Sequence, residues 1–311
     1  CYLSVIRSNR MHLHVAKIAS TGSSVIRIPD YLNSEREYSI SQDDVVKMLS
    51  ILRVAFQNDP KATTIFSELI SNNDNLANIL TFPCSCFYWA VSVINYIETQ
   101  MQPNKIPVIY TTSGPSSAHL IGFYMKKKYG TVWIADYRDP WTGNPYFHYD
   151  PSKIFDYLTF SLGSALLNTA DCNITIANEF RSDYIHRFKL PEDKIVCITN
   201  GYDENDFSDI EKHSINKFTI NYSGLLYTKQ RSILPILQAI HELITDNQID
   251  IKKICFKIVG EGNEETNLKY INKYGLHEIF EQTSYVSHKE ALTANVKETL
   301  IKSSHYAANM I

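Results

Sequence analysis

Much that would assign this chain quickly is missing from it. None of its six cysteines forms a C-x-x-C pair, and Cys84-Ser85-Cys86 is tighter than the usual spacing of zinc ligands. Cys172, Cys197 and Cys255 sit in apolar, strand-like runs, where a thiol acts as a small hydrophobe. The cysteines therefore read as free thiols of a reducing compartment, with no disulfide framework. No run reaches the ~20 apolar residues that a membrane helix needs. The best, FYWAVSVINYI at 87–97, reads as a buried helix. No signal peptide is visible, and a cytoplasmic location is expected. With 30 Lys and Arg against 33 Asp and Glu, a net charge of −3 gives no field for nucleic acid or anionic lipid. G-x-G-x-x-G, G-x-x-x-x-G-K-[ST] and H-E-x-x-H are all absent, so a nicotinamide enzyme in particular has poor support. VGEGNEE (259–265) carries half of a dinucleotide fingerprint and no more.

What is present is an alternation. At 311 residues the chain is long enough for about two domains, and 44% apolar with 20% charged residues is ordinary for a globular protein. SQDDVVKMLSILRVAFQ (41–57) predicts an amphipathic helix with Ser41 as N-cap and acids in its first turn. SSVIRIPDYL (23–32) predicts a strand leading to a turn at Pro29-Asp30, and 83–102 a buried helix. From residue 105 the grammar is clear: a strand at 106–112, then a helix at 117–130 that ends in three lysines and Gly130. A strand at 131–137, a helical region at 151–170 and a strand at 172–178 follow. Next come a helix broken by Pro191 and a strand at 194–200. Continuous apolar strands alternating with helices predict a doubly wound parallel α/β sheet with right-handed crossovers. The polar stretch 201–217 reads as an interdomain connection. Strands at 218–224 and 254–262, with helices at 233–244 and 265–275, open a second α/β domain. The expected division is 1–215 and 216–311. The second domain is short for its kind and position 1 is Cys rather than Met, so truncation at both ends is expected.

In open α/β sheets, ligands bind beyond the carboxyl ends of the strands, and four unusual loops fall there. In TSGPSS (112–117), Gly114 permits close backbone approach beside a helix N-terminus; the alternative is a plain strand-to-helix turn with a serine cap. VWIADYRDPWTGNPYF (132–147) delivers Asp136, Arg138 and Asp139 to the mouth of a strand. Such a set can grip substrate hydroxyls and anions, or close on itself as an ion pair of Arg138 with either aspartate. TNGYDENDF (199–207) holds the turn signal Asn200-Gly201, with Asp203 or Asp206 as cap of the next element. In YSGLLYTKQRS (222–232), Gly224 ends a strand, and Lys229 and Arg231 precede a helix. Two cations there suit a diphosphate and run against the helix dipole, although solvated surface cations are the plain alternative. His119 and His148 stand near these loops, but a lone histidine is more often a satisfied polar residue than a catalyst.

Taken together, YTTSGPSSAHLIGFYMKKKYGTVWIADYRDPWTGNPYF, ADCNITIANEF, KIVCITNGYDENDF, INYSGLLYTKQR and IVGEGNEE resemble the GT-B glycosyltransferases of family 4. The likeness is nearest to bacterial members that build cell-surface polysaccharides. It implies two Rossmann-like domains facing a cleft, the second incomplete here. It also implies transfer of a sugar from a nucleotide sugar to a glycan or lipid-linked acceptor, with retention of configuration. No cofactor and no metal are expected. On this likeness Asp139 and Arg138 are the catalytic pair, and Ser113, Gly114, Trp141 and Asn144 line the acceptor side, with Tyr146 beside them. Asn200, Gly201, Gly224, Lys229, Arg231 and Glu261 fall on the donor side. The family's Gly-rich first strand has no counterpart ahead of CYLSVIRSNR. Glu290 and Glu298 have the eight-residue spacing of the family's acidic pair but read as helix-surface acids. A lipid-linked acceptor would place the protein at the inner face of the plasma membrane. A noncatalytic nucleotide- or sugar-binding remnant and a GT-B-like epimerase are the other readings.

Overall fold

Pairing of short apolar strands organises the computed structural model. It describes residues 2–7, 13–19, 22–28, 41–71, 76–84, 86–143, 153–208, 217–226 and 231–297, the first three as backbone. Contacts divide the chain into two units, Cys1–Asn200 and Gly201–Ile311.

The first unit opens with an antiparallel meander that the sequence patterning does not announce. Its strands are β1 (Tyr2–Arg7), β2 (Leu13–Ala19) and β3 (Gly22–Ile28). The third matches the expected strand at 23–32, whose turn at Pro29-Asp30 lies outside the described residues. Four helices follow: α1 (Gln42–Phe56), α2 (Pro60–Ser71), α3 (Leu76–Leu80) and α4 (Phe87–Gln100). In α1, Ser41 accepts from the Asp44 amide, and Met48, Ile51, Leu52, Ala55 and Phe56 form one buried stripe of helical period. Helix α4 is apolar nearly all round and is buried accordingly.

The predicted alternation then appears. It runs β4 (Val108–Thr112), α5 (Ala118–Tyr129), β5 (Val132–Tyr137), α6 (Ile154–Thr169), β6 (Cys172–Thr175), α7 (Asn178–Phe188) and β7 (Ile195–Cys197). Gly130 closes α5 in the left-handed region at φ 70°, where glycine has no Cβ penalty. Helix α7 ends before Pro191 is reached: Lys189 turns left-handed at φ 52°, and Leu190 is held off the helical region by the proline that follows it. The seven strands run in the order β3-β2-β1-β4-β5-β6-β7, and every pair from β1–β4 onward is parallel.

The second unit is built from β8 (Phe218–Ser223), α8 (Leu234–Thr245), β9 (Ile254–Val259), α9 (Glu264–Tyr274), β10 (Phe280–Thr283) and α10 (His288–Lys297). Its sheet is parallel throughout, in the order β10-β9-β8. Asp203 caps the short 3-10 turn Glu204–Phe207 by accepting from the Asn205 amide, the role the sequence offers it. At the start of α10, Glu290 accepts from the Ser287 amide and hydroxyl, which is what a helix-surface acid does in a first turn. Glu298 lies outside the described residues.

Candidate functional site

The parallel register sets Thr112 of β4 beside Asp136 of β5, so the loops leaving these strands begin side by side. Hydrogen bonds then join them. The Ser113 amide donates to the Asp136 carbonyl at 2.9 Å, and the Arg138 amide donates to Ser113 Oγ at 3.0 Å. The Asp136 carboxylate accepts from the Tyr110 hydroxyl at 2.6 Å and from Thr112 Oγ1 at 3.0 Å. Burial, and then the Asp136 carboxylate, push the Tyr110 phenol above its ordinary range. Of the three charges at the mouth of β5, Asp136 is thus a brace between strands. Arg138 and Asp139 stay exposed beyond it.

Above the brace lies a cavity of about 490 Å³ lined by Cys84, Ser113, Gly114, Tyr137, Asp139 and Trp141, among others. Gly114 sits at φ 96°, which a side chain would resist. Trp141 is fastened to α6 and α7: its indole Nε1 donates to the Thr159 carbonyl at 2.7 Å, and its amide donates to the Tyr184 hydroxyl at 2.7 Å. The ring fits against Gly163, where a Cβ would stand 2.4 Å from Trp141 Cδ1. Further along, Arg187 donates to Thr142 Oγ1 at 2.9 Å and to Asp183 at 2.7 Å, and covers Gly143. The wall from Asp139 to Gly143 is therefore held by helices α6 and α7. Asn144 and Tyr146 lie outside the described residues.

Two members of this site carry no signal in the sequence motifs. Cys84 reaches the cavity from the start of α4, with Sγ 2.9 Å from Ser117 Oγ. A hydrogen bond from Cys86 lowers its thiol to about 6, against the opposing effect of burial and with help from Ser117. Tyr137 is the last residue of β5 and is buried. Its ring lies 4.3 Å from that of His119, a fully buried residue whose Nδ1 pairs with Thr111 Oγ1 at 2.8 Å. Burial takes the His119 imidazole down to about 3, so it is neutral, in keeping with a structural histidine. His148 lies outside the described residues.

In the second unit, Gly224, Arg231 and Glu261 come together at the carboxyl ends of β8 and β9. Gly224 donates to the Val259 carbonyl at 3.0 Å, and the Leu226 amide donates to the Glu261 carbonyl at 3.0 Å. The fit depends on two further glycines with positive φ. A Cβ on Gly260 would meet the Gly224 carbonyl oxygen at 2.2 Å, and one on Gly262 the Leu226 carbonyl oxygen at 2.3 Å. Arg231 turns its guanidinium onto the same loop, donating to the Tyr222 hydroxyl at 3.0 Å and the Leu225 carbonyl at 3.2 Å. Glu261 is exposed, and Lys229 lies outside the described residues. Asn200 and Gly201 are exposed, and a Cβ on Gly201 would meet nothing within 4 Å, so no packing demands glycine there. Among the described residues, no three His, Cys, Asp or Glu side chains are grouped so as to hold a metal ion. Among them too, no helix is long and apolar enough to cross a membrane.

Residues 60–206, which contain the whole of the first site, match the family model described as Glycosyltransferase Family 4. No curated protein matches the sequence. Among solved structures, the chain is similar to a UDP-forming α,α-trehalose-phosphate synthase from Burkholderia xenovorans. The TM-score is 0.52 at 8% identity, over 92% of this chain and 67% of that one. Sucrose-phosphate synthase from Thermosynechococcus elongatus gives 0.48 at 13% identity, over 69% of this chain and 54% of that one. HepE from Anabaena, in complex with UDP and glucose, gives 0.47 at 12%, over 84% and 70%. The chain thus spans little more than half of the sucrose-phosphate synthase. The fold is that of the GT-B glycosyltransferases, as the motifs imply.

Proposed function

We propose that this chain, a glycosyltransferase by its family match and its fold, moves a sugar from a nucleotide-sugar donor to a glycan or lipid-linked acceptor with retention of configuration. One observation carries the reading: a cavity at the carboxyl ends of β4 and β5, within the matched stretch, with the Asp139 carboxylate on its wall. Ser113, Gly114 and Trp141 line that cavity and are assigned to the acceptor, with Asn144 following them in sequence. A carboxylate there can accept a hydrogen bond from an acceptor hydroxyl and orient its oxygen for attack. Arg138 is its neighbour at the mouth of the strand.

The donor is assigned to the glycine-bound loops after β8 and β9, with Asn200 and Gly201 leading toward them in sequence. As the nucleoside diphosphate departs, negative charge grows on it, and fixed cations and amides stabilise that charge. Lys229 and Arg231 supply the cations on this reading. The bonds of Arg231 to Tyr222 and Leu225 fix its guanidinium, and a guanidinium has five N–H donors to share. Glu261 stands beside the nucleotide. Transfer needs no resident metal, and a lipid-linked acceptor would bring the protein to the inner face of the plasma membrane as a peripheral visitor.

The test is release of nucleoside diphosphate from a panel of UDP- and GDP-sugars, with and without chelator, for the wild type and Asp139→Asn. Transfer should fall in the variant while nucleotide affinity stays near wild type. Equal loss of both would mean that Asp139 serves folding instead.

A further inference from the structure

Sugar transfer makes no use of the pair Cys84-Ser85-Cys86. Its two thiols have different surroundings. Cys84 is half-buried and lines the cavity at the carboxyl ends of β4 and β5. Cys86, at the N-cap of α4, is 5% exposed and packs into the core. A small solute entering the cavity therefore meets Cys84 first.

Donors converge on that sulfur. Ser117 Oγ lies 2.9 Å from Cys84 Sγ, and the Cys86 thiol and the amides of Cys86 and Ser117 act on it as well. Cys86 is the N-cap of α4 and Ser117 that of α5, so the sulfur faces the amino ends of two helices, which favour negative charge. The Cys86 thiol bond outweighs burial, Ser117 adds to it, and Cys84 is held largely as thiolate near neutrality. The thiolate is the form that attacks peroxides and disulfides.

Cys86 is also placed to finish such a reaction. Residues two apart keep their Cα atoms within about 7 Å in any conformation, and a disulfide needs about 4.4–6.8 Å. A bridge would draw Sγ away from Ser117, whose fully buried hydroxyl is bonded to Cys84 and does not cap α5. Leaving that hydroxyl unpaired is costly, so the bridge is easily reduced.

We propose that Cys84 is a site of reversible oxidation by peroxides, with Cys86 as its resolving thiol. The Cys84 sulfur attacks one peroxide oxygen, the O–O bond breaks, and the departing hydroxide takes a proton from solvent. A sulfenic acid remains on Cys84. The Cys86 thiol then gives its proton to solvent and attacks the Cys84 sulfur; the S–O bond breaks and the second hydroxide leaves as water. Each sulfur gives up one electron, and the peroxide is reduced to two waters. A dithiol reductant of the cell restores the pair. The assignment needs the cavity but not its occupant, so it stands apart from the transferase reading.

The reduced full chain is treated with hydrogen peroxide at pH 7 in the presence of dimedone, which traps sulfenic acids, and followed by peptide mass spectrometry. The peptide carrying both cysteines should lose two hydrogens, regain them with dithiothreitol, and hold little dimedone. In Cys86→Ser, whose hydroxyl keeps a donor beside Cys84, the dimedone adduct on Cys84 should rise about tenfold. Cys84→Ser should leave Cys86 reduced. Equal adduct in wild type and Cys86→Ser would remove Cys86 as the resolving thiol and overturn the proposal. Oxidation of Cys84 no faster than that of Cys172, whose thiol burial pushes up, overturns it too. So does oxidation of Cys86 in Cys84→Ser. Thermal denaturation of each reduced protein separates an unreactive variant from an unfolded one, and Cys86→Ala replaces Cys86→Ser if the latter melts early.

Discussion

Gly163→Ala sets two effects of known sign against each other. In a helix interior, alanine is favoured over glycine by roughly 1 kcal/mol, so an exposed site would gain stability. At residue 163, however, the new Cβ would lie 2.4 Å from Trp141 Cδ1 and 2.5 Å from Nε1. The indole must retreat by about 1 Å to reach ordinary carbon contact. That retreat opens its 2.7 Å bond to the Thr159 carbonyl. Overpacking costs about 1–3 kcal/mol and a strained buried hydrogen bond about 1 more, so the net should be a loss of roughly 1–3 kcal/mol. Urea denaturation gives the magnitude, and the tryptophan emission should shift as Trp141 leaves α6. Trp141→Phe supplies the control, because a smaller ring relieves the clash. In that background Gly163→Ala should be neutral or stabilising, and the coupling is read from the double-mutant cycle. A gain of ~1 kcal/mol in the otherwise native chain, as for an exposed helix, would refute the wedge.

Two further expectations concern titrating groups. N-ethylmaleimide should label Cys84 ahead of the other thiols, with a rate that rises through about pH 6, followed by peptide mass spectrometry; a rate that climbs only where ordinary thiols ionise would contradict the assigned environment. Burial opposes the charged form of Glu98, but hydrogen bonds from Lys128, Lys47, Tyr129 and Tyr124 outweigh it and hold the carboxyl well below its usual range. With the folded value depressed, this stabilisation is complete above the unfolded carboxyl value of about 4.3 and drains away as pH falls below it. The stability gap between the native chain and Glu98→Gln should therefore be widest near neutrality and narrow in acid, by urea midpoints at each pH.

The parts of the fold that were legible in the sequence are those set by local chemistry. Ser41 and Gly130 mark helix ends because a cap oxygen and a left-handed residue act within one turn. β4, β5, β8 and β9 announce themselves by short runs rich in apolar and β-branched residues, although burial along them alternates between buried and less buried positions. By contrast, FEQT of β10 alternates between half-buried and exposed positions and offers no such run. The meander β1–β3 pairs neighbouring strands within residues 2–28, and only its third strand carries a pattern that reads as a strand by itself. The site divides in the same way. Arg138 and Asp139 stand out as charges after a strand, but Asp136 looks equivalent to them until Tyr110, 26 residues away, is seen to hold it. Cys84 reaches the cavity only because the segment leading into α4 passes there, and Tyr137 looks like any core aromatic. Distant packing decides both.

The glycines after β8 and β9 carry a consequence for anyone who would redesign the loops that leave these strands. Gly260 and Gly262 press against the carbonyls of Gly224 and Leu226 with no room for a methyl group. The two loops are in effect a single casting. A graft that exchanges one of them for a related sequence imports a backbone path its partner cannot accommodate. The loops can be exchanged between related chains only by transplanting residues 223–226 and 260–263 as a matched pair.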